Sequence, residues 1–332
     1  MIAPTRRRLL LAGLGAALAT PLARLSASTG LREHRRSGDA FGTTVSMLVL
    51  HDDATRAEQA LDAAFAEIRA VERAASLFDP DSDLSRLNKQ GQIEAPNRRL
   101  VELLQLSANV SEITGGSFDI TVQPYWPAWA AATALGASPS DSELAAARAF
   151  VDRSAIVIEP RIVRLVKPGV GITLNGIARG YACDRVVEIL IGQGIAHALV
   201  DTDGFGSIGD SGERPWSVGI EHPRKPGTLL GTVAPLSGYL STSGDYATTF
   251  SPDFQNNHIF TPTTGRSPTE LASVTVVARS GALADALSTG IMVMGLQSGL
   301  ELLRRLDGTE GVLVTKDGQL AATPGASFHP AG

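Results

Sequence analysis

The amino-acid sequence predicts an α+β (mixed α/β) fold in which mixed sheets are flanked by helices. Three observations support this class. The chain has 332 residues, of which 43% are hydrophobic, and this is enough for a large buried core. Segments with strand-type alternation are interleaved with segments of helical spacing. Neither an internal repeat nor a low-complexity linker divides the sequence.

The N-terminus has the pattern of an export signal. The basic cluster in TRRRLL precedes an apolar run, Leu9 to Ala19, and then a small-residue stretch where a peptidase could cut. The same six residues fit the twin-arginine type. A membrane anchor needs about 20 apolar residues, and this run is shorter. We therefore predict a twin-arginine-type signal peptide over residues 1–27, a folded domain over residues 28–332, and a soluble protein in the periplasm.

Charge and cysteine content narrow the classes of partner. The formal net charge is -5, and the predicted signal peptide contains four arginines and no acidic residue, so the mature chain is more acidic still. A nucleic-acid partner is therefore disfavoured, because binding to phosphate backbones depends on basic surfaces. Cys183 is the only cysteine, which excludes internal disulfides and multi-cysteine metal sites.

The first half of the predicted domain begins with a strand. Alternating, β-branched residues predict this strand over Phe41 to Leu50, and the following TRAEQALDAAFAEIRAVERAASL predicts a long amphipathic helix. Ser82 or Asp81 is expected to cap a short helix. A further helix is predicted over Arg98 to Ile113. The Pro- and Gly-rich stretch from Ile120 to Glu143 is interpreted as a surface excursion.

The second half continues the alternation of strands and helices. Between Ala155 and Leu174 the pattern predicts two strands that turn back on each other, and GIARGYACDRVVEILIGQG predicts a helix that ends near Gly192. Short strands are predicted in HALVDTD, WSVGIEHP and GTVAPL. ASVTVVAR predicts another strand, which leads into the small-residue helix SGALADALSTG.

That small-residue helix contains two oxygen-bearing side chains, Asp285 and Thr289. Residues i and i+4 share one helix face, so both can point at the same spot, where a hard cation such as Mg2+ would find a carboxylate and a neutral oxygen. From this pair alone, a structural interpretation is favoured over the metal site. Asp285 would then complement the positive end of the helix, and Thr289 would hydrogen-bond to its own backbone.

Other polar segments are individually weak signals. In TLNGIARGYACD a strand end passes through Asn175-Gly176 into a helix, which allows either a nucleotide contact or a plain turn. The sequence has neither of the two standard glycine-rich phosphate-binding fingerprints. His258 lies in a polar loop, and a lone histidine is more often structural or solvated than catalytic.

The order of these segments resembles the ApbE family of FAD:protein FMN transferases over about Phe41 to Thr323. The resemblance rests on motifs that occur in the family's order: Phe41-Gly42-Thr43; Ser76, Phe78, Ser82, Leu84, Leu87 and Asn88; Thr114, Gly116, Phe118 and Asp119; Gly176 through Asp184; Thr242 to Tyr246; His258 through Gly265; and Ala284 to Thr289. Several motifs in one order are far more specific than any of them alone.

The resemblance implies Mg2+-dependent transfer of FMN from FAD to a Thr or Ser hydroxyl of an acceptor flavoprotein, with release of AMP. It implies that Asp285, Thr289 and the backbone carbonyl of Gly176 hold the metal, which could instead be Mn2+ or Ca2+. Asp285 is also assigned to catalysis, together with His258 as general base or phosphate stabiliser. The implied flavin and adenine contacts are Phe41, Phe78, Ser117, Phe118, Asp119, Thr173, Arg179 and Ile259.

Four positions depart from the family's usual pattern. Thr173 replaces an aspartate, Asp203 replaces a glycine, and Thr261 and Thr263 replace an aspartate and an arginine. Thr173, Asp203 and Thr261 support an alternative, a non-catalytic periplasmic FAD-binding or assembly protein for a membrane redox complex. The retained cation ligands favour a working transferase. FAD hydrolysis to FMN and AMP is a second alternative. The export signal together with the divergent core also resembles the branch of the family that is accessory to nitrous-oxide reduction.

Overall fold

Strands and helices alternate through residues 30–332, the part of the chain that the structure, a computed structural model, describes. The predicted signal peptide, residues 1–27, lies outside this part. The strands are β1 (Arg32–Ala40), β2 (Thr43–His51), β3 (Gln92–Glu94), β4 (Ile156–Glu159), β5 (Ile162–Leu165), β6 (His197–Asp201), β7 (Gly204–Ile208), β8 (Val218–Glu221), β9 (Leu229–Val233), β10 (Tyr239–Gly244), β11 (Leu271–Ala278), β12 (Glu310–Thr315), β13 (Leu320–Ala322) and β14 (Phe328–Pro330). The helices are α1 (Ala54–Ala75), α2 (Asp83–Gln90), α3 (Arg98–Ile113), α4 (Tyr125–Ala134), α5 (Asp141–Arg148), α6 (Ala178–Gly192), α7 (Gly281–Met294) and α8 (Leu296–Arg305).

One large sheet organises the molecule. Its strand order is β1-β2-β6-β7-β10-β11-β12-β13, and two smaller sheets have the orders β14-β9-β8 and β3-β5-β4. Neighbouring strands in all three sheets of the described chain are antiparallel. The α+β class is confirmed, but the expectation of mixed sheets is wrong. Between β11 and β12, for example, the helices come as a pair, α7 and α8, and the chain therefore returns antiparallel instead of making a parallel crossover.

The two faces of the large sheet are covered differently. On β2, Val45 and Val49 are buried against α1 and α6. Leu50, on the opposite face of the same strand, packs in a cluster with Trp216 and Val218 next to the small β14-β9-β8 sheet. This alternation follows from the two-residue period of a strand. No helix within residues 30–332 is both long enough and apolar enough to cross a membrane.

The strand predicted from Phe41 begins two residues later, because Phe41 and Gly42 form a hairpin turn. Their φ angles are 53° and 74°, and Ala40 pairs with Thr43 across the turn. Two successive positive φ angles are typical of the tight turns that match strand twist. The preceding strand β1 was not predicted, since its sequence REHRRSGDA has no apolar alternation.

Capping residues set the helix boundaries in the first half of the chain. Ser82, one of the two predicted caps, is the N-cap of α2 and accepts a hydrogen bond from the Ser85 amide at 3.0 Å. Asn97 caps α3, whose observed bounds equal the predicted ones. Asp53 caps α1 through the amides of Thr55 and Arg56.

The stretch interpreted as a surface excursion, Ile120 to Glu143, is instead structured and partly buried. It contains α4, and Trp129 and Tyr125 of that helix are 1% and 0% exposed. The proline and glycine content suggested a loop, but tertiary packing of the aromatic residues determines the conformation. The two strands predicted between Ala155 and Leu174 are confirmed as β4 and β5, which pair antiparallel. The last nine residues of that range are irregular.

Candidate active site

The site forms where helix α7 packs on strand β10. Asp285 and Thr289 lie one turn apart on α7, and Ser241 and Ser243 are alternate residues of β10. The Ser241 hydroxyl donates to Asp285 Oδ1 at 3.2 Å, and the hydroxyls of Ser243 and Thr289 are 3.0 Å apart. One helical turn and two strand residues each advance by about 6 Å, so the two pairs are in register.

Asp285 is a buried carboxylate with incomplete charge compensation. It is 4% exposed, and its Oδ2 accepts the Gly180 amide at 3.0 Å. Within residues 30–332 no basic side chain forms a direct ion pair with it, although the charge of Arg179 favours its ionised form. Burial raises the pKa of Asp285 above its usual range. A carboxylate in this environment is stabilised when a cation binds, and each oxygen retains a free lone pair.

Gly176, the predicted source of a carbonyl ligand, lies next to α7. A Cβ at Gly176 would lie 3.0 Å from Thr289 Oγ1 and 3.3 Å from the Phe118 ring, so the backbone lies close to both side chains. The described residues contain no cluster of three or more His, Cys, Asp or Glu side chains that could hold a metal. One carboxylate, one hydroxyl and one carbonyl fit a hard cation such as Mg2+, which takes its other ligands from water and phosphate.

Two glycines allow α6 and α7 to approach each other closely. A Cβ at Gly180 would lie 2.1 Å from the Gly281 carbonyl oxygen and 2.7 Å from Asp285 Cβ. A Cβ at Gly281 would lie 2.4 Å from the Gly180 carbonyl oxygen. This approach is what brings the Gly180 amide within hydrogen-bond distance of Asp285. No residue larger than glycine fits at either position without displacing backbone.

Asp184 holds the start of α7 in place from the neighbouring helix. Its carboxylate accepts the Ser280 hydroxyl at 2.9 Å, the Gly281 amide at 2.6 Å and the Ala282 amide at 2.9 Å. Burial raises the pKa of Asp184, while these three hydrogen bonds oppose the shift. The last residue of the GIARGYACD motif therefore orients the helix that carries Asp285 and Thr289.

Arg179 adds a cation at the edge of the site. Its Nη1 forms an ion pair with Asp203 Oδ2 at 2.6 Å, and its Nε is buried without a hydrogen-bond partner among residues 30–332. The Arg179 carbonyl accepts the Thr202 hydroxyl at 3.0 Å. The charge of Arg179 acts on both Asp285 and His258. The Arg179 side chain is 34% exposed, and a guanidinium that ligands can reach is suited to bind a phosphate.

His258 is half-buried on a loop close to this arginine. Its backbone amide and its Nδ1 are each 3.1 Å from the Thr248 carbonyl oxygen. Because a carbonyl only accepts, Nδ1 carries the proton, and Nε2 of the neutral ring is free to accept one. Burial lowers the pKa of His258, so the ring is neutral near pH 7.

The α4 region supports the loop that carries His258. The Tyr125 hydroxyl donates to the Pro262 carbonyl at 2.9 Å, and Trp129 Nε1 donates to the Gly265 carbonyl at 2.8 Å. The Trp129 ring stacks on Phe250, with the ring centroids 5.2 Å apart. The segment interpreted as an excursion thus holds the chain on both sides of His258, at Phe250 before it and at Pro262 and Gly265 after it.

The TSGDY motif contributes one residue to the site and another to the buried core. Ser243 faces Thr289, whereas Asp245 is completely buried and receives two hydrogen bonds of 2.7 Å from Arg224. Lys316 Nζ lies 3.7 Å from the same carboxylate. Asp245 therefore anchors the loop through paired charge, as expected of a buried carboxylate in a folded protein.

The structure places only some of the predicted flavin and adenine contacts in the segment next to Gly176. Phe118 contacts Gly176, as described above, and Thr173 donates its amide to the Ile120 carbonyl at 2.8 Å beside the same segment. The remaining positions lie around this core: Phe41 is half-buried in the β1–β2 turn, Phe78 is 79% exposed, Ser117 is half-buried, Asp119 caps the turn at 120–122, and Ile259 is 5% exposed. Their assigned flavin and adenine contacts stay predictions.

Residue-by-residue reading of the sequence missed the groups that position Asp285 and Thr289. Ser241, Ser243, Gly180 and Asp184 carry these contacts. One signal was available in YLSTSG, where serines alternate between apolar neighbours on a strand. The close approach of the α6 and α7 backbones at Gly180 and Gly281 has no sequence signal beyond the small residues themselves.

Comparisons with known proteins agree with this architecture. A model of the ApbE family matches residues 41–313. The FAD:protein FMN transferase of Vibrio cholerae is 28% identical over 305 residues, which cover 89% of this chain and 91% of the relative. That of Escherichia coli K12 is 28% identical over 295 residues, which cover 85% and 84%.

Solved structures give the same result. The flavin transferase ApbE from Vibrio cholerae superposes with a TM-score of 0.76 at 26% identity and covers 89% of this chain and 98% of its own. The apo flavinyl transferase ApbE of Pseudomonas stutzeri gives a TM-score of 0.76 at 28% identity, with 89% and 95% covered. Because the family match spans most of the chain, including every segment that builds the α7 site, the chain belongs to the ApbE family.

Proposed function

We propose that the protein is a cation-dependent FAD:protein FMN transferase, which attaches FMN to a Thr or Ser hydroxyl of an acceptor flavoprotein and releases AMP. Family membership and the names of the relatives support the transferase activity. The observation that carries the proposal is the buried Asp285 carboxylate, aligned with Thr289 and supported by two serines of β10.

We propose Mg2+ as the cation, with Asp285, Thr289 and the Gly176 carbonyl as its protein ligands. When bound, this ion would neutralise negative charge on the FAD diphosphate. The chain's own contribution is preorganisation. Gly180 and Ser241 orient the two carboxylate oxygens, and Ser243 orients the Thr289 hydroxyl, so the ligands need little rearrangement.

In the proposed transfer, each bond formed, each bond broken and the proton are accounted for by the acceptor, FAD and His258. The acceptor's hydroxyl oxygen attacks the FMN phosphorus, and the bond from that phosphorus to the bridging oxygen breaks, so AMP leaves with the bridging oxygen. The proton of the attacking hydroxyl passes to His258 Nε2, which is free because Nδ1 bonds to Thr248. Arg179 would bind a phosphate oxygen, and the exposed Phe78 ring would stack on a ring of FAD.

We further propose that the acceptor is an exported flavoprotein domain, belonging to a membrane redox complex, and that the enzyme works in the periplasm. The twin-arginine-type pattern TRRRLL supports export. The acidic net charge of the mature chain is consistent with a protein acceptor and disfavours nucleic acid.

The test is mass spectrometry of a candidate acceptor after incubation with the mature protein, FAD and Mg2+. We expect one FMN in phosphoester linkage and an equal amount of AMP. Asp285→Asn should lower the transfer rate by at least about 100-fold, because the cation loses its only charged ligand. The exposed Asp62→Asn is the matched control and should keep full activity.

Thermal unfolding separates loss of the cation from loss of the fold. Mg2+ should raise the Tm of the wild type but not that of Asp285→Asn, since a ligand stabilises only a state that binds it. Full activity in Asp285→Asn would refute the cation assignment. Free FMN without a labelled acceptor would favour FAD hydrolysis, and bound FAD with no product under Mg2+, Mn2+ or Ca2+ would favour a non-catalytic binding protein.

A further inference from the structure

Asp203 occupies an unusual position beside the proposed FAD site. It is not a glycine, yet its φ angle is 73°, in the left-handed region. Aspartate is among the few residues that tolerate this conformation. Its amide donates to Asp201 Oδ1 at 3.0 Å, which holds the turn between β6 and β7. This hydrogen bond orders the turn, which presents the exposed Asp203 side chain to Arg179.

The same turn is attached to the arginine that it faces. Thr202 is completely buried, and its hydroxyl donates to the Arg179 carbonyl at 3.0 Å. The Thr202 amide donates to the Gly204 carbonyl at 2.9 Å. These contacts fix the β6–β7 turn against the start of α6 and place the Asp203 carboxylate 2.6 Å from Arg179 Nη1.

The ion pair is accessible and its arginine is not saturated. The side chains of Arg179 and Asp203 are 34% and 49% exposed, and the buried Arg179 Nε has no hydrogen-bond partner in the part of the chain that the structure describes. Exposed ion pairs contribute little to stability, so a ligand can displace them. A phosphate oxygen needs the same guanidinium donors as a carboxylate oxygen. After displacement, the negative charge of Asp203 would remain close to the phosphates.

We propose that Asp203 is the counterion of Arg179 in the FAD-free enzyme, and that it competes with the FAD diphosphate for this arginine and thereby weakens FAD binding. The inference rests on the proposed function. Asp203 is a residue that sets substrate affinity, and it does not take part in the chemical step.

The test is the equilibrium binding of FAD to the mature protein in the presence of Mg2+, measured by flavin fluorescence. Asp203→Asn keeps the shape and tolerates positive φ, and it should lower the Kd for FAD about three- to tenfold. Affinity for riboflavin, which has no phosphate, should not change. The KM for FAD in transfer should fall while kcat does not rise. Glu159→Gln, which removes the exposed partner of Arg164, is the matched control and should change nothing.

A double mutant isolates the proposed competition. In an Arg179→Met background, Asp203→Asn should improve FAD affinity less than it does in the wild type, because the donors that both ligands share are absent and only the repulsion between Asp203 and the phosphates remains. Equal or weaker FAD binding by Asp203→Asn overturns the inference, as does an equal gain for riboflavin. If the wild type transfers FMN while these affinities stay equal, only this inference fails. If the wild type does not bind FAD, the proposed function fails with it.

Discussion

The two sides of the site are built in different ways. On one side, Asp285 is buried at the junction of α6, α7 and β10 and is oriented by backbone and strand residues. On the other side, His258 and the ion pair of Arg179 with Asp203 lie half-exposed on loops or at an element end. The first side is fixed by the packing of the core. The second is more exposed and is open to ligands.

This difference teaches where a substitution acts. A change at the buried junction alters stability and cation geometry together, since the same contacts serve both. A change on the loop side alters affinity or rate with little effect on the fold. Loops positioned by a rigid scaffold often carry function in this manner.

The largest effect on the loop side is expected from His258→Gln. If His258 accepts the proton of the attacking hydroxyl, the transfer rate should fall about 100-fold, while the Tm stays within the error of the wild type. Single-turnover transfer measured at saturating FAD tests this. A loss of less than about threefold would show that His258 is not the base.

The pH profile gives a second reading of the same residue. Burial lowers the pKa of His258 below its ordinary value of 6.5, so the neutral, proton-accepting form persists at lower pH. The transfer rate should therefore hold as pH falls to 6.5 and decline only below it. A decline already centred above 6.5 would contradict the proposed environment of the ring.

On the junction side, Gly180→Ala should destabilise the protein. Its Cβ would lie 2.1 Å from the Gly281 carbonyl oxygen, so α6 and α7 would have to separate, at a cost of about 2 kcal/mol. Transfer should fall as well, since Asp285 loses the Gly180 amide. The midpoint of urea unfolding measures the first effect.

Gly192→Ala is the control in the same helix. A Cβ at Gly192 would meet no atom of the described residues within 4 Å, so this substitution should be neutral or slightly stabilising. If both variants unfold at the wild-type midpoint, the close approach of the two helices does not constrain the junction, and the contrast between the two sides of the site is lost.

The sequence predicted the buried side less completely than its motifs suggest. Spacing placed Asp285 and Thr289 on one helix face, and the structure confirms that geometry. The partners on β10 and α6 are distant in sequence, and helical periodicity carries no information about which strand packs on which face. Asp184 is an example, because its role in capping α7 arises only from the contact between two helices.

The fold could be predicted at the level of class but not of pairing. Amphipathic α1 and α3 had clear periodicity and capping residues, and both lie where expected. The polar strand β1 and the aromatic helix α4 lacked such sequence signals. Their conformations are decided by pairing with β2 and by packing around Trp129. Such long-range contacts override local propensity.

The smallest expected effect is at Asp201, which supports the Asp203 turn from the end of β6. Burial raises the pKa of Asp201 from an ordinary 3.8 to about 6. Between these values the folded chain retains a proton that the unfolded chain has lost. The free energy of unfolding therefore falls as pH rises through this window, and the penalty is complete above it.

Asp201→Asn removes this charge and keeps an oxygen that can accept the Asp203 amide. The variant should match the wild type near pH 4 and exceed its free energy of unfolding by about 1 kcal/mol at pH 7.5. Urea unfolding at the two pH values measures the difference, with the exposed Asp81→Asn as control. A gain that is the same at both pH values would mean that packing and not charge is responsible, and the β6–β7 turn would then belong with the core-fixed side of the site.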